Sequence, residues 1–371
     1  MFAILIFVLV LGVLVLVHEI GHFITALKLG CDVEEFGIGF PPRLFSFKKR
    51  GIRFSINLLP LGGYVKIKGE DGSNKNDPGS FASKPAWKKS LIVLAGVFMN
   101  VVLAYVLISI TLVMGIPTFD PNPDEYGRFA KFSDEQIAIV QILEDSPASA
   151  AGVLPGDIVL SVDGTIIDTV AQLQATLSKQ PPQEVSLEVL RDEEVKQFMI
   201  TPAQIEGIDR LGIGVGLAET AVVSYPWYIA PLVGFTRTFE ILWLILVAFK
   251  DLFVQFVTTA TVGVDVAGPI GIAVITAQVA DLGFVHLLQF TALLSLNLAI
   301  INILPFPALD GSRLVFIILE KIRGKKMQAR FEKWIHIFGF GLLMLLMIVI
   351  TIQDIQRYGA SIWEGITSIF S

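Results

Sequence analysis

The sequence predicts an α-helical polytopic membrane protein with about four transmembrane helices and an inserted small β-rich domain. Hydrophobic residues make up 53% of the 371 residues, and charged residues only 17%. The apolar residues are gathered into stretches that approach the twenty or so residues needed to cross a bilayer. One long polar region between them instead shows the alternation of half-buried strands. The apolar stretches lie at about 1–27, 90–116, 227–249, 285–319 and 334–353.

The first stretch is interpreted as a retained membrane span and not as a cleaved signal. The run from Phe2 to Val17 carries no charge, no basic residue precedes it, and no small-x-small cleavage site follows it. His18, Glu19 and His22 come directly afterwards. Groups capable of chemistry are therefore expected where this span approaches its far end.

The distribution of charge predicts the topology. Residues 28–89 carry a net charge of +6 and residues 320–333 a net charge of +4, whereas residues 118–225 carry −12. Because loops rich in Lys and Arg remain in the cytoplasm, both basic segments are expected there and the acidic region outside. Four spans satisfy this arrangement, and a fifth at 227–249 would break it. That stretch is predicted to lie as an amphipathic helix in the outer membrane interface, although its hydrophobicity also suits a span.

The first basic loop contains a predicted β-hairpin at about 45–68. Apolar and polar residues alternate from Ile52 to Leu58, and Pro60, Gly62 and Gly63 are predicted to form the turn before a second strand. Because the hairpin follows the first span closely, we expect it to lie against the membrane face.

The acidic region is predicted to hold the β-rich domain at 134–202. Segments 136–143 and 184–190 alternate as strands do, and 169–179 has the pattern of a short amphipathic helix. The run from Ser146 to Gly164, which is rich in turn-forming residues, resembles the distinctive run of a bacterial PDZ domain.

The motif that carries chemistry is His-Glu-Ile-Gly-His at 18–22. Positions i and i+4 of a helix lie on one face, so His18 and His22 can bind one metal ion, and Glu19 beside them can accept a proton from water. Such side chains within a span are costly and are usually functional. The alternative is that they cap the end of the span, but an end cap requires no such spacing.

Asp310 is the predicted third ligand. A catalytic zinc site usually has three protein ligands and an open fourth position. Asp310 lies some 25 residues into a stretch that begins outside, so its depth matches that of the two histidines. Pro305 and Pro307 are expected to interrupt the helix just before it, whereas His286 and His336 are expected at membrane boundaries. The alternative is a proline-kinked helix that merely ends in an aspartate.

Together these motifs resemble the bacterial site-2 protease family of intramembrane metalloproteases, in the branch of the regulator-of-sigma-E protease type. The resemblance extends in order over most of the chain. It is carried by HEIGH, FGIGF, LPLGGYVKI, the PDZ-like run, VAGPIGI and NILPFPALDG. In one departure, no proline follows Gly96 in the second span; Gly96 and Asn100 of the pattern remain, so the change bears on helix packing more than on chemistry.

The resemblance implies a zinc metalloendopeptidase that cleaves peptide bonds within or near the membrane segments of single-span substrates. It implies that zinc is held by His18, His22 and Asp310, with Glu19 as the catalytic base and Asn302 helping to hold the substrate. Substrates of the family include anti-sigma factors and remnant signal peptides. The implied location is the bacterial inner (cell) membrane, with the PDZ domain extracytoplasmic and the active site near the cytoplasmic side.

The predicted organisation has three parts: a first membrane part at 1–117, the PDZ domain at 134–202, and a second membrane part at 203–371. The PDZ domain is expected to act either by excluding bulky substrates or by binding an exposed C-terminus. No nucleic-acid partner is expected, and the sequence leaves the oligomeric state open. Two other protein classes compete with this interpretation. One is a metal or proton transporter, although no inverted repeat is visible in the sequence. The other is a non-catalytic membrane adaptor.

Overall fold

Long apolar helices and a separate β-rich region make up the protein. The computed structural model describes residues 2–119, 121–178, 182–191, 193–205, 211–259, 267–325 and 329–370. Val266 of the VAGPIGI segment and residues 326–328 of the second basic loop lie outside them. The chain forms two compact units, one comprising Met1–Ile110 with Pro231–Ser371, and the other Thr111–Ala230.

Most of the long helices fall in the predicted apolar stretches, the helix at Pro269–Asp281 lies between two of them, and shorter helices lie in the β-rich region. They are α1 (Phe2–Lys28), α2 (Ala86–Met114), α3 (Pro123–Tyr126), α4 (Pro147–Ala151), α5 (Val170–Leu177), α6 (Ala230–Thr259), α7 (Pro269–Asp281), α8 (Phe284–Ile303), α9 (Asp310–Arg323) and α10 (Ala329–Phe370).

The described strands lie in the first basic loop and in the acidic region. They are β1 (Val33–Lys49), β2 (Ile52–Ile67), β3 (Ile116–Phe119), β4 (Lys131–Ile142), β5 (Ile158–Val162), β6 (Thr165–Ile166), β7 (Val185–Arg191), β8 (Glu194–Ile200), β9 (Ala203–Gln204), β10 (Leu211–Gly212) and β11 (Val215–Ser224).

Five of the described helices are long and apolar enough to cross a membrane, by length and composition. Four of them are the predicted spans, in α1, α2, α8 and α10. The fifth is α6, which covers the stretch assigned to the interface. Within α6, Arg237 donates a hydrogen bond to Glu240 at 3.0 Å, so the helix carries an ion pair on its surface. The interfacial position of this helix stays a prediction.

The predicted stretch 285–319 is not one helix. The helix α8 ends at Ile303, and α9 begins at Asp310. Pro305 and Pro307 lie between them, as the sequence predicts, because proline lacks the N–H that a continuous helix needs. Asp310 therefore starts a second helix instead of lying inside the first.

The loop after α1 forms one long hairpin that folds back on itself. Its register runs from Val33 opposite Ile67 to Lys49 opposite Ile52, and Phe36 also pairs with both Val65 and Phe54. Segment 33–40 therefore lies between two segments of β2, and 59–67 forms an edge next to α1.

The hairpin turn differs from the predicted one. It lies at Arg50 and Gly51, with φ values of 53° and 83°, the positive values that a two-residue hairpin turn needs. The prediction of a turn at 60–63 is wrong, because those residues lie inside β2, where Gly63 pairs with Ile38. The proline and glycines at 60–63 lie in the part of β2 that folds back to pair with the other side of the segment 33–40.

Glu35 holds the folded hairpin together from inside. Its carboxylate accepts hydrogen bonds from Ser55 at 2.8 Å, Tyr64 at 2.9 Å and Arg43 at 2.8 Å. Burial by itself would raise the pKa of Glu35, but these hydrogen bonds outweigh it and lower the pKa below the usual glutamate value. An ionised carboxylate thus joins three segments of the hairpin.

The acidic region folds into an antiparallel sheet in the order β3-β11-β4-β5-β7-β8, with β6 beside β5. The two predicted strands and the helix at 169–179 are confirmed as β4, β7 and α5. The sheet also takes in β3 and β11, which lie outside 134–202. Its core is formed by apolar side chains of the strands, of α5 and of the loop after α4, among them Ile137, Ile139, Val153, Val162, Leu173, Leu187 and Val189.

Candidate metal centre

Three nitrogen and oxygen atoms from distant parts of the sequence meet at one point. His18 Nε2 lies 3.0 Å from Asp310 Oδ2, and His22 Nε2 lies 3.1 Å from both of these atoms. The side chains belong to α1 and α9, which are 288 or more residues apart in sequence. Among the described residues, this is the group of His, Cys, Asp and Glu side chains that could hold a metal ion.

The local structure explains how each ligand is presented. The two histidines are one turn apart in α1, and their rings meet edge to face with centroids 4.7 Å apart. Asp310 is the first residue of α9, where the partial positive charge of the helix N-terminus favours a carboxylate. Its helix starts there because the two prolines end α8 beforehand.

The helix α2 supports both imidazole rings. His22 Nδ1 donates to the carbonyl oxygen of Ile92 at 2.8 Å, which leaves Nε2 of the neutral ring free to bind a metal. One turn later, a Cβ added at Gly96 would lie 2.4 Å from His22 Nε2 and 2.7 Å from His18 Cε1. Glycine at position 96 therefore leaves room for the rings, in addition to any role in helix packing.

The irregular segment before α9 is held in place by close contacts. A Cβ added at Gly311 would lie 2.2 Å from the carbonyl oxygens of Ile303 and Leu304, so α9 begins directly against the end of α8. Ala308 has a φ of 80°, which is uncommon for a residue with a side chain. Its N–H donates to His336 Nδ1 at 3.2 Å. These contacts fix the position of Asp310.

A cavity of about 200 Å³ adjoins the three ligand atoms. Glu19 lines it beside the histidines, and the backbone of Val65 interacts with the Glu19 carboxylate. Arg313, one turn after Asp310, also lines the cavity and is paired with Glu70 from the loop after β2. The cavity thus has a carboxylate suited to proton transfer next to the ligand cluster.

The donor set fits zinc. Two imidazole nitrogens and one carboxylate oxygen are a ligand combination of catalytic zinc sites. Ligand atoms about 2.0–2.2 Å from one ion at tetrahedral angles are about 3.3–3.6 Å apart. The observed separations of 3.0–3.1 Å are slightly shorter, so small side-chain movements suffice to admit the ion.

The other predicted candidates lie elsewhere. Asn302 is half-buried in the last turn of α8 and does not line the described cavity. His286 is in the first turn of α8, and His336 contacts the backbone beside the site without entering the ligand group. The pairing of Asn302 with substrate stays a prediction.

Sequence reasoning missed the supporting residues. The carbonyl of Ile92 carries no sequence signal, because every residue has one. Gly96 and Asn100 were visible as part of a family pattern, but their contacts with the histidines were not. Asn100 Nδ2 lies 3.3 Å from His18 Nδ1, from the same face of α2 as Gly96.

Comparison with known proteins gives a consistent result. The pattern of peptidase family M50 matches residues 6–346. The regulator of sigma-W protease RasP of Bacillus subtilis is 30% identical, over 95% of this chain and 97% of that protein. A putative zinc metalloprotease of Clostridium perfringens is 34% identical, over 92% of this chain and 95% of that protein. A probable chloroplastic membrane metalloprotease of Arabidopsis thaliana is 32% identical, over 93% of this chain and 78% of that protein.

Among solved structures, the PDZ domain of an SdrC-like protein from Listeria monocytogenes matches 24% of this chain and 92% of its own, at 19% identity and a TM-score of 0.22.

Proposed function

The chain belongs to peptidase family M50 and is a membrane zinc metalloprotease, and from this premise we propose that it cleaves single-span membrane proteins with zinc held by His18, His22 and Asp310. Glu19 is the catalytic base. The observation that carries the proposal is the meeting of three ligand atoms within 3.1 Å, next to a cavity lined by Glu19.

The chemistry divides between the ion and the protein. Zinc held there supplies Lewis acidity that polarises the scissile carbonyl and lowers the pKa of water. Glu19 accepts the proton of the attacking water and delivers it to the nitrogen of the leaving amine. The Val65 backbone interacts with the Glu19 carboxylate beside the ligand cluster.

The substrate is held as an added strand. A membrane helix must unwind before its peptide bonds can be cleaved, because they are occupied in its own hydrogen bonds. Segment 59–67 pairs with β1 on one side only among the described strands. Val65 belongs to this segment, and its backbone interacts with the Glu19 carboxylate, so the segment lies beside the ligand cluster. An extended substrate added there would lie beside the ligands, with main-chain hydrogen bonds supplying the grip.

The substrates are single-span proteins of the anti-sigma-factor type. The supporting observation is the relative RasP, whose name describes a regulator of sigma-W. The PDZ-like domain selects among them.

The protein lies in the bacterial cell membrane with its basic loops in the cytoplasm. The charges of the segments 28–89 and 320–333 support this orientation. The PDZ-like domain is then extracytoplasmic, and His18, near the cytoplasmic end of α1, lies on the cytoplasmic side. In this orientation the predicted parts 1–117 and 203–371 lie in the membrane, and the predicted part 134–202 lies outside the cytoplasm.

The test is cleavage of a single-span substrate by purified protein in liposomes. We compare the wild type with Glu19→Gln and measure bound zinc in both. Wild-type cleavage, with loss of cleavage and retention of zinc in Glu19→Gln, is the expected result. Glu34→Gln is the matched control, because Glu34 is an exposed carboxylate on β1 that does not line the cavity. Equal cleavage by the wild type and Glu19→Gln would exclude Glu19 as the base.

A further inference from the structure

The side chain of Asn100 is fully buried next to the ligand cluster. Its exposed fraction is 0%, and its Nδ2 lies 3.3 Å from His18 Nδ1. Its Oδ1 has no hydrogen-bond partner among the residues that the structure describes. A buried amide oxygen without a partner is costly, since it has lost its hydrogen bonds to water. The orientation of this amide therefore needs an explanation.

The protonation of His18 decides which amide atom faces the ring. A neutral imidazole that binds a metal through Nε2 carries its proton on Nδ1. The Nδ1–H is then a donor, and an amide NH₂ group opposite it is a second donor, so the two groups cannot bond. The oxygen and nitrogen of an amide are almost equal in size, and the hydrogen-bond network decides between them. Rotation of the amide by half a turn brings Oδ1 opposite the Nδ1–H.

This rotation improves the hydrogen bonding between Asn100 and His18. It replaces a contact between two donors by a hydrogen bond, and the partnerless Oδ1 gains a donor. The amide nitrogen takes the place that the oxygen leaves. The backbone carbonyl of Asn100 accepts from Ser295 at 2.8 Å in either orientation, so the packing of α2 on α8 is unchanged.

We propose that Asn100 is a positioning residue, which accepts a hydrogen bond from His18 Nδ1–H and thereby holds His18 in its metal-binding tautomer. The inference rests on the proposed function, in that it takes His18 as a zinc ligand. It gives His18 the kind of support that the carbonyl of Ile92 gives His22. Ile92, Gly96 and Asn100 are spaced by four residues on one face of α2. Ile92 provides an acceptor for His22, Gly96 leaves space for both rings, and Asn100 provides an acceptor for His18.

The proposal makes opposite predictions for two substitutions. Asn100→Asp keeps an acceptor of the same shape opposite Nδ1, in the carboxylate–histidine–zinc arrangement common in zinc proteins. Asn100→Leu keeps the volume and removes the acceptor. Losing such a partner typically weakens metal binding by about 10–100-fold. If the amide instead donated to Nδ1, Asn100→Asp would remove the donor and weaken binding as well.

The experiment measures the zinc dissociation constant of the full-length protein in detergent, by competition with a chromophoric chelator. The variants are Asn100→Asp and Asn100→Leu, with Ser295→Ala as the matched control. Ser295→Ala disturbs the same contact between α2 and α8 without touching the amide. His18→Ala is added to test the ligand assignment on its own.

We expect Asn100→Leu to bind zinc about 10–100-fold more weakly, and Asn100→Asp and Ser295→Ala to stay within about threefold of the wild type. Wild-type affinity in Asn100→Leu, or an equal loss in Asn100→Asp, would overturn the inference. If Asn100→Leu does not fold, Asn100→Asp decides alone: affinity near that of the wild type supports the acceptor role, and a tenfold loss refutes it. Unchanged zinc binding in His18→Ala would instead refute the proposed ligand set.

Discussion

Substitution of Gly96 by alanine tests the arrangement of the metal centre with one methyl group. The added Cβ would lie 2.4 Å from His22 Nε2 and 2.7 Å from His18 Cε1, whereas ordinary contacts begin at 3.4 Å. The shortfalls are 3.4 − 2.4 = 1.0 Å and 3.4 − 2.7 = 0.7 Å. Neither ring can move away freely, because His22 is bonded to the Ile92 carbonyl and His18 contacts Asn100.

The size of the effect follows from the tolerance of metal sites. Metal–ligand distances vary by about 0.2 Å, so a displacement of 1.0 Å at a ligand nitrogen moves it out of the coordination shell. We expect Gly96→Ala to lower zinc affinity by about 10–100-fold. A misplacement of about 1 Å also costs about 100-fold in rate.

The assay is chelator competition for zinc together with cleavage of a single-span substrate. The control is Gly12→Ala, the same change in α1 at a position where, apart from the adjacent residues and backbone of α1 itself, no atom of the described residues lies within 4 Å of the new methyl group. Since alanine favours a helix by about 1 kcal/mol over glycine, the control should be as stable as the wild type or more stable. Wild-type zinc affinity in Gly96→Ala would refute the close approach of α2 to the two rings.

Three further predictions follow from other parts of the molecule. Val65→Pro removes an N–H of the segment 59–67 and should lower kcat/KM for the substrate about tenfold or more while zinc stays bound, whereas Val65→Thr should not; an unchanged kcat/KM in Val65→Pro would refute strand addition. Removal of zinc by a chelator should abolish cleavage, and Zn²⁺ but not Mg²⁺ should restore it, because imidazole ligands favour zinc; full activity of the metal-free protein would contradict the proposed chemistry. Asp157, 1% exposed and paired with Arg191 at 2.6 Å, has a pKa that burial would raise but that the Arg191 hydrogen bonds lower overall. The Asp157 carboxylate therefore adds to the free energy of unfolding above about pH 4, where this carboxyl group is ionised in the unfolded chain. This stabilisation is lost as the pH falls through the lowered pKa of Asp157 in the folded protein. Asp157→Asn should destabilise the β-rich domain by about 3–5 kcal/mol at pH 7 and by progressively less in acid, measured by hydrogen exchange of β5 and β7 against unfolded reference peptides; a difference independent of pH would contradict this role.

The sequence predicted the membrane helices and the strands of the inserted domain from local patterns. The runs that became α1, α2 and α10 are predominantly apolar, and this property is independent of their partners. The alternation in 136–143 and 184–190 likewise reflects one buried face of a sheet, which became β4 and β7. The break before Asp310 could be predicted because the effect of proline is local.

The path of the first basic loop could not be predicted in the same way. Proline and glycine at 60–63 favour a bend, but they do not reveal whether the bend ends a strand or folds a longer hairpin over. The structure places the turn at Arg50–Gly51 and uses the buried carboxylate of Glu35 to join the folded segments. Long-range pairing decides between these outcomes, and a pattern of single residues does not encode it.

By itself, the sequence determined which side chains could form the site: the spacing of His18 and His22 on one helix face, the carboxylate beside them, and Asp310 after two prolines. Only the tertiary structure decided that α1 and α9 bring these atoms within 3.1 Å, and that α2 passes close enough to contact both rings. The physical reason is that helical periodicity acts over a few residues, whereas the distance between helices depends on packing. Because α2 packs against the two rings, the space left by Gly96 and the backbone oxygen of Ile92 become parts of the site. The local sequence pattern does not predict either contact.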